Sequence, residues 1–236
     1  MALGFPPLFW AAVAGCSMLA MGLLYARLSA TRQTGHASLV WDVFLAWLPI
    51  APALAIHRLC RRSHPSRALL AVLGLLWLLF FPNSPYLITQ LIHLNEQHGP
   101  STSPLPAWVI AWLPAVEQRS PPSWYDLLLL TSVAACGLLL TFASLQLVSR
   151  AITRRAGRPM AVALSFWIVV LASFGVALGR FARLNSWEVF SQPLTTAGEI
   201  ARWIYVPRIG VSTLVLATLI TLVYIAVLQA GKAEPE

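Results

Sequence analysis

The chain alternates between long apolar stretches and short polar segments, and this alternation predicts its secondary structure. Apolar runs lie at residues of about 5–26, 39–57, 68–81, 124–148, 160–181 and 209–229. Most of them approach the roughly 20 residues that an α-helix needs to cross a hydrocarbon core. The pattern predicts an all-α fold, a polytopic membrane bundle of about six transmembrane helices, in a single integral membrane domain over residues 1–236.

The third run differs from the others because it is short and ends at two prolines. At a rise of 1.5 Å per residue, about 14 residues give only about 21 Å of helix. Pro82 and Pro85 each lack an N–H group and clash with the preceding turn, so we expect the helix to end near Phe81. Ser84 is a candidate N-cap for a second helix, set at an angle to the first, that begins at Ser84 or Pro85.

The segment after the prolines has two faces. Its leucines form an apolar stripe, whereas Tyr86, Thr89, Gln90 and His93 share another face at i, i+3 and i+4 spacing. Irregular backbone at membrane depth must lie against protein or line a polar cavity, because lipid cannot form hydrogen bonds with it. Residues 81–94 are therefore the first candidate for a site.

Composition and charge agree with the membrane class. Of 236 residues, 58% are hydrophobic and 10% are charged, against about 25% charged in soluble domains. The pI of 10.3 comes from arginine, since Lys232 is the only lysine. The arginines cluster between apolar runs, which argues against a nucleic acid partner and for contact with the lipid bilayer. The three cysteines are scattered, and the sequence predicts no metal site and no cofactor.

Two loops without an acidic residue set the predicted orientation. Six spans place both loops and both termini on one side, and the positive-inside rule makes this side cytoplasmic. The extracytoplasmic loops are then about 95–123 and 182–208, and Trp108 and Trp112 predict a short interfacial helix in the first of them. The cytoplasmic loops, at about 58–67 and 149–159, contain Arg58, Arg61, Arg62, Arg67, Arg150, Arg154, Arg155 and Arg158.

The fifth run ends in a second group of notable residues. Gly175 and Gly179 form a GxxxG pair, which permits close helix packing and could join two copies of the chain into an oligomer. Arg180 and Arg183 lie on one face of the predicted helix at its outer end. Each of these arginines must extend to the interface or find a partner.

The second outer loop contains two predicted helix starts. Asn185 can cap a helix with Glu188 at position N3, a variant of the capping box. Thr196 and Glu199 match the capping box itself, so a short helix is expected to begin there and to end near Pro207.

Three stretches, taken in order, resemble the motifs of one bacterial family. They are FPNSPYLITQLIHL at 81–94, WYD at 124–126 and GRFARLNSWE at 179–188. The family is the bacterial membrane family catalogued as domain of unknown function 1361, and the resemblance covers roughly residues 40–225. This chain has Gln90 where the family commonly has Asp, so a role that needs a carboxylate there does not transfer. The family carries no established activity, so the resemblance implies a place in the bacterial inner membrane and no chemistry.

Polar groups from these stretches form the candidate binding site on the predicted outer side. Asp126 either starts a helix, favoured by the helix dipole, or pairs with Arg180 or Arg183. The two arginines either anchor a helix end or bind an anionic headgroup or substrate. His93 is either a satisfied interfacial histidine or a ligand or base, and Asn83 is either a turn former or a ligand. The candidate residues are Asn83, Tyr86, Gln90, His93, Asp126, Arg180, Arg183, Asn185 and Glu188.

These groups are expected to converge. Unpaired polar and ionisable groups are costly at the hydrocarbon edge, and mutual hydrogen bonding offsets that cost. We therefore expect the polar face of residues 83–93 to lie against the outer ends of runs four and five. Asp126 and Arg180 would then be within reach of Tyr86, Gln90 or His93.

The sequence leaves three classes of function open. The first is the binding or transport of a polar or anionic solute at an outer-face site, since discontinuous helices hold solutes in many transporters. The second is a non-catalytic membrane scaffold. The third is an enzyme of lipid-linked envelope chemistry, although the chain has no GxSxG, HExxH, P-loop or GxGxxG sequence.

Overall fold

The computed structural model describes residues 5–31, 37–64, 66–96 and 121–230, and every regular element within these ranges is helical. The helices are α1 (Pro7–Thr31), α2 (Ser38–Trp47), α3 (Ile50–Leu59), α4 (Arg67–Phe80), α5 (Asn83–Tyr86), a 3-10 helix (Leu87–Ile92), α6 (His93–Glu96), α7 (Pro121–Phe181), α8 (Glu188–Ser191), α9 (Pro193–Trp203) and α10 (Pro207–Ala230).

Five stretches are long and apolar enough to cross a membrane. The predicted all-α bundle with several membrane helices is therefore confirmed. Helices α2 and α3 together form one of the five stretches. The stretches are Pro7–Ser29, Ser38–Leu59, Arg67–Ile92, Trp124–Phe181 and Pro207–Val227.

The longest stretch, α7, consists of two helices that fold back on each other. Gly157 has φ 84° and ψ 168°, which lies outside the helical region. In a straight helix Gly137 and Gly175 would be about 57 Å apart. Both glycines instead lie against the segment 82–87. This stretch therefore supplies two of the six apolar runs, and the two halves are called α7a (before Gly157) and α7b (after it).

Helix α7a lies at the centre of the bundle. Leucines and small residues along it are almost completely buried, among them Leu129, Leu130, Val133, Cys136 and Leu140. Helices α1 and α3, the 3-10 helix and α10 all contact the α7 stretch. Large apolar side chains on the surrounding helices point outward and form the surface that lipid would cover, for example Leu8, Met18, Leu75, Trp167 and Leu214.

The two arginine-rich segments meet at one end of the bundle, which we call the arginine end. The Nη2 atom of Arg155 donates a hydrogen bond of 2.7 Å to the carbonyl oxygen of Arg62. The opposite end, which we call the motif end, brings together residues 41–45, 82–93 and 175–188. The two arginine segments thus share a side, as the alternation of spans predicts.

One local prediction is wrong, and another concerns residues that the structure does not describe. Helix α9 begins at Pro193, so Thr196 lies inside the helix and its hydroxyl donates to the carbonyl of Gln192 at 2.9 Å. The capping box predicted at Thr196 is therefore wrong, because proline at the first helical position sets an earlier start. The helix predicted around Trp108 and Trp112 lies outside the described residues.

Candidate functional site

The third span changes its helix type at the two prolines. Helix α4 ends at Phe80, and the N–H of Phe81 donates to the carbonyl of Trp77 at 2.8 Å. The short helix α5 and the 3-10 helix follow. The predicted end of the helix near Phe81 is therefore confirmed, whereas the predicted angle between the two helices stays a prediction. Phe81 and Pro82 keep right-handed helical angles, so the break changes the hydrogen-bond pattern rather than inserting a loop.

Ser84 does not cap a helix, and this prediction is wrong. Helix α5 already begins at Asn83, and its N-cap position is Pro82. The Ser84 hydroxyl instead donates a hydrogen bond of 2.8 Å to the carbonyl oxygen of Ala46, and Ser84 is completely buried. Ala46 lies next to the junction of α2 and α3, where Pro49 interrupts the regular hydrogen bonds. The hydrogen bond of Ser84 thus connects the segment 81–94 to the second span.

Residues 87–92 form a 3-10 helix instead of the predicted α-helix, which changes the residues that align. In this geometry residues i and i+3 lie directly above one another, so Gln90 and His93 point to the same side. Gln90 is 4% exposed, and its Nε2 donates a hydrogen bond of 2.8 Å to Oδ2 of Asp42 in α2. The partner of Gln90 therefore comes from the second span.

His93 connects this segment to the end of α7b. The Nη1 atom of Arg180 lies 3.3 Å from Nε2 of His93. Because a guanidinium group only donates hydrogen bonds, Nε2 must be the acceptor. The carboxylate of Asp42 lies near enough to Arg180 for the two charges to attract each other. Asp42, Gln90, His93 and Arg180 are called the polar cluster. Arg180 therefore reaches His93 in the segment 81–94, as expected.

Asp126 does not join the polar cluster, and its expected pairing with Arg180 or Arg183 is wrong. Asp126 forms a two-pronged ion pair with Arg27 at the end of α1, in which Nη2 lies 3.1 Å from Oδ2 and Nε contacts Oδ1. Both side chains are less than 10% exposed. The planar guanidinium matches the carboxylate at two points, which satisfies both buried charges at once.

The glycine pair serves a contact within the chain. A Cβ atom added at Gly175 would lie 2.9 Å from Pro82, and one added at Gly179 would lie 3.4 Å from Tyr86. The absence of side chains on this face of α7b lets the motif lie directly against it. An oligomer through these glycines would need a face that Pro82 and Tyr86 already occupy, so the structure gives the pair another role.

Arg183 lies beyond the end of α7b and does not share a face with Arg180. It is exposed, and its φ of 56° places it in the left-handed region that often follows a helix end. The chain then turns, and the Glu188 carboxylate accepts hydrogen bonds from the backbone N–H and the side-chain amide of Asn185, at 3.0 and 2.9 Å. The two residues therefore interact, but the predicted cap is wrong, because the helix begins at Glu188 and Trp187 occupies its N-cap position.

A small pocket lies where these segments meet. Its volume is about 110 Å³. Asn83 joins two sides of it, because its Nδ2 donates to the carbonyl of Phe80 at 3.0 Å and to the hydroxyl of Ser186 at 3.3 Å. The residues around the pocket are Trp41, Asp42, Leu45, Pro82, Asn83, Tyr86, Gly175, Val176, Gly179, Leu184, Asn185, Ser186 and Trp187. We call this space the motif pocket.

The nine predicted residues therefore take different places. Asn83, Tyr86 and Asn185 line the motif pocket, and Glu188 holds Asn185. Gln90, His93 and Arg180 adjoin the pocket through the polar cluster. Asp126 and Arg183 neither line the motif pocket nor belong to the polar cluster. Among the described residues no group of three or more His, Cys, Asp or Glu side chains could hold a metal ion.

Sequence reasoning missed two residues that matter here. Asp42 is not among the nine predicted residues, yet it lines the pocket and accepts a hydrogen bond from Gln90. Arg27 is not among them either, yet it is buried with Asp126. The available signal was the position of each residue in the sequence. A charged residue within or beside an apolar run usually has a partner, and both residues lie in such positions.

The helices and the site together define a polytopic helical membrane protein with a polar pocket at one end of the bundle. A family model described as protein of unknown function (DUF1361) matches residues 41–227, and the chain belongs to this family. The match takes in Trp41, Asp42 and the two motifs that surround the pocket. No curated protein and no solved structure is detectably similar to the chain.

Proposed function

We propose that this protein binds a small polar solute in the motif pocket. The observation that carries the proposal is that three separate segments bring polar side chains to one cavity of about 110 Å³. Asp42 comes from α2, Asn83 from the broken third span, and Asn185 and Ser186 from the turn after α7b. Concave sites with a few converging polar groups are typical of ligand binding, although this cavity suits only a small solute.

The charge at the pocket favours a solute that donates hydrogen bonds. Asp42 is the acidic residue that lines the pocket, whereas neither Arg180 nor Arg183 lines it. A carboxylate offers about four lone-pair sites, and the hydrogen bond from Gln90 uses one of them. A neutral or cationic solute therefore fits better than the anionic solute that the arginines suggested.

Two tryptophans support this preference for a cation. Trp41 and Trp187 line the pocket, with ring centroids 6.3 Å apart in an edge-to-face arrangement. Both rings are partly exposed, at 53% and 37%. Aromatic faces beside a carboxylate attract ammonium groups, and each such contact contributes about 0.5–2 kcal/mol. A small primary ammonium compound has the chemistry that this arrangement recognises.

The orientation of the bundle belongs to the same proposal. The arginine end faces the cytoplasm under the positive-inside rule, and the two arginine segments share that end. The motif pocket then opens on the extracytoplasmic side of the bacterial inner membrane. The protein would take its solute from that side, either to hold it or to pass it inward.

Binding of small solutes to the purified full-length protein tests the proposal. We expect ethanolamine to quench tryptophan fluorescence in a saturable manner, glycerol to bind more weakly, and acetate to have no effect. Asp42→Asn should weaken ethanolamine binding by about tenfold, since hydrogen bonds to charged groups contribute about 1.5–3 kcal/mol. Glu199→Gln is the matched control, because Glu199 pairs with Arg202 away from the pocket.

Several outcomes would contradict the proposal. If none of the three solutes binds, or if Asp42→Asn behaves like Glu199→Gln, the pocket is not a site for a small polar solute and the scaffold becomes the better hypothesis. If acetate binds best and Arg180→Gln abolishes its binding, the predicted preference for a cation is wrong. Uptake of the bound solute into proteoliposomes then distinguishes transport from binding alone.

A further inference from the structure

A second and larger cavity lies at the arginine end. It has a volume of about 450 Å³ and lies between α7a, α7b and α10. The residues of α7b that line it, from Arg158 to Val169, cover about 16 Å of helix. The residues around it are Gln146, Ser149, Arg150, Thr153, Arg158, Ala161, Val162, Ser165, Phe166, Val169, Thr221, Tyr224 and Ile225. We call it the arginine-end cavity.

The two ends of this cavity differ in chemistry. Arg150 and Arg158 lie at the arginine end, on either side of the turn at Gly157, and both are exposed. The inner part is lined by Val162, Phe166 and other apolar side chains. Val162 is 63% exposed and Phe166 is 49% exposed, so the cavity opens sideways toward the surface that lipid would cover.

Three buried hydroxyl groups in the described part of the chain lack a hydrogen-bond partner, those of Ser165, Ser173 and Thr213, and Ser165 is the one that lines this cavity. Ser165 lines the cavity and is 7% exposed, and its Oγ forms no hydrogen bond with any described residue. A buried hydroxyl without a partner costs about 1–3 kcal/mol, so its place on a cavity wall indicates that a ligand supplies the acceptor.

We propose that the arginine-end cavity binds one anionic phospholipid. The phosphate lies between Arg150 and Arg158, an ester carbonyl of the lipid accepts a hydrogen bond from Ser165, and an acyl chain packs along Val162 and Phe166. Basic pockets between membrane helices on the cytoplasmic side are suited to anionic headgroups. Ser165 lies two turns of helix deeper than Arg158, which is the order of ester and phosphate along a phospholipid.

Native mass spectrometry of the full-length protein in detergent tests this proposal. We expect one phosphatidylglycerol molecule to remain bound under conditions that remove phosphatidylethanolamine. Arg158→Gln should weaken phosphatidylglycerol binding about fivefold, the equivalent of about 1 kcal/mol for one basic residue. Ser165→Ala should weaken it about threefold and should leave the unfolding temperature of the lipid-free protein unchanged or higher.

Arg154→Gln is the matched control. It removes the same charge from the same end of the bundle, but Arg154 does not line the cavity. An equal loss of affinity in this variant would show diffuse attraction to the surface and would overturn the proposal. Equal retention of the two lipids would also overturn it. Glycerol phosphate and inorganic phosphate, added in excess, should not displace the lipid, and displacement by either would identify a free phosphate site instead.

Discussion

At the scale of single residues, the ion pair between Arg27 and Asp126 joins the first and fourth spans. Both groups are buried, and the geometry satisfies two oxygens of the carboxylate with two nitrogens of the guanidinium. Tyr125, next in sequence, donates a hydrogen bond of 2.6 Å to the carbonyl of Leu23, so a second polar contact supports the same junction. These contacts fix the position of α1 on α7a.

Removing one partner of this pair should destabilise the protein strongly. We expect Arg27→Ala to lower the free energy of unfolding by about 3–5 kcal/mol, because the change leaves the buried carboxylate of Asp126 without its counterpart, and we expect Asp126→Ala to lower it through the loss of the same ion pair. The double variant should be less destabilised than the sum of the single changes. Unfolding of the purified variants in detergent measures this coupling.

The surface pair of Arg202 and Glu199 provides the comparison. Its arginine side chain is 75% exposed, so a cycle at this pair should give a coupling of only about 0.2–1 kcal/mol. Additive effects of the Arg27 and Asp126 changes would show that the two residues do not depend on each other.

The partner of Asp126 illustrates what the sequence could and could not predict at this scale. The residue type and its place beside an apolar run indicated a partner, but the arginine nearest in the predicted topology was not the one used. Arg27 ends the first run, and only the packing of α1 against α7a shows that it is closer. The Asn185–Glu188 interaction was predictable because both residues lie within one turn.

At the scale of elements, the broken third span is held against α7 by close backbone approach. Gly137 lies directly under the segment, since a Cβ atom there would be 2.5 Å from the carbonyl oxygen of Ser84 and 2.6 Å from Cβ of Leu87. The end of α4 was predictable because proline acts locally on the backbone. The 3-10 geometry was not, because it depends on the surfaces against which the segment packs.

Gly137→Ala should therefore disrupt this contact. We expect it to lower the free energy of unfolding by about 1–3 kcal/mol, because the added methyl group must displace backbone rather than a flexible side chain. Gly74→Ala is the matched control, since nothing lies within 4 Å of a Cβ atom at that helical position. It should stabilise the protein by up to about 1 kcal/mol. Equal effects of the two changes on unfolding in detergent would contradict the close contact.

At the scale of the whole molecule, the bundle separates two chemistries between its ends. The arginine end holds the arginine-rich segments and the larger cavity, whereas the motif end holds the small pocket and the polar cluster. The all-α class and the stretches that are long and apolar enough to cross a membrane followed from the sequence, because length and hydropathy are properties of the chain itself. The motif pocket could not be predicted from the sequence, since its walls come from residues that are far apart along the chain.

Labelling of introduced cysteines tests the proposed orientation. In a background without native cysteines, Ser63→Cys should react with a membrane-impermeant reagent only after the cells are opened. Thr195→Cys, which is exposed near the motif end, should react in intact cells. Labelling of Ser63→Cys from outside, with protection of Thr195→Cys, would reverse the orientation and would place the motif pocket in the cytoplasm.

The contact between Gly137 and the segment 82–87 also bears on how the protein is made. The apolar part of the third span, α4, is only 14 residues long, and the segment that completes it contains buried polar groups such as Ser84 and Gln90. Both side chains bond to the second span, which is synthesised earlier, whereas the surface around Gly137 that contacts Ser84 and Leu87 belongs to α7a and is synthesised later. We therefore expect the third span to pair with the second as it enters the bilayer and to complete its packing only when the fourth arrives.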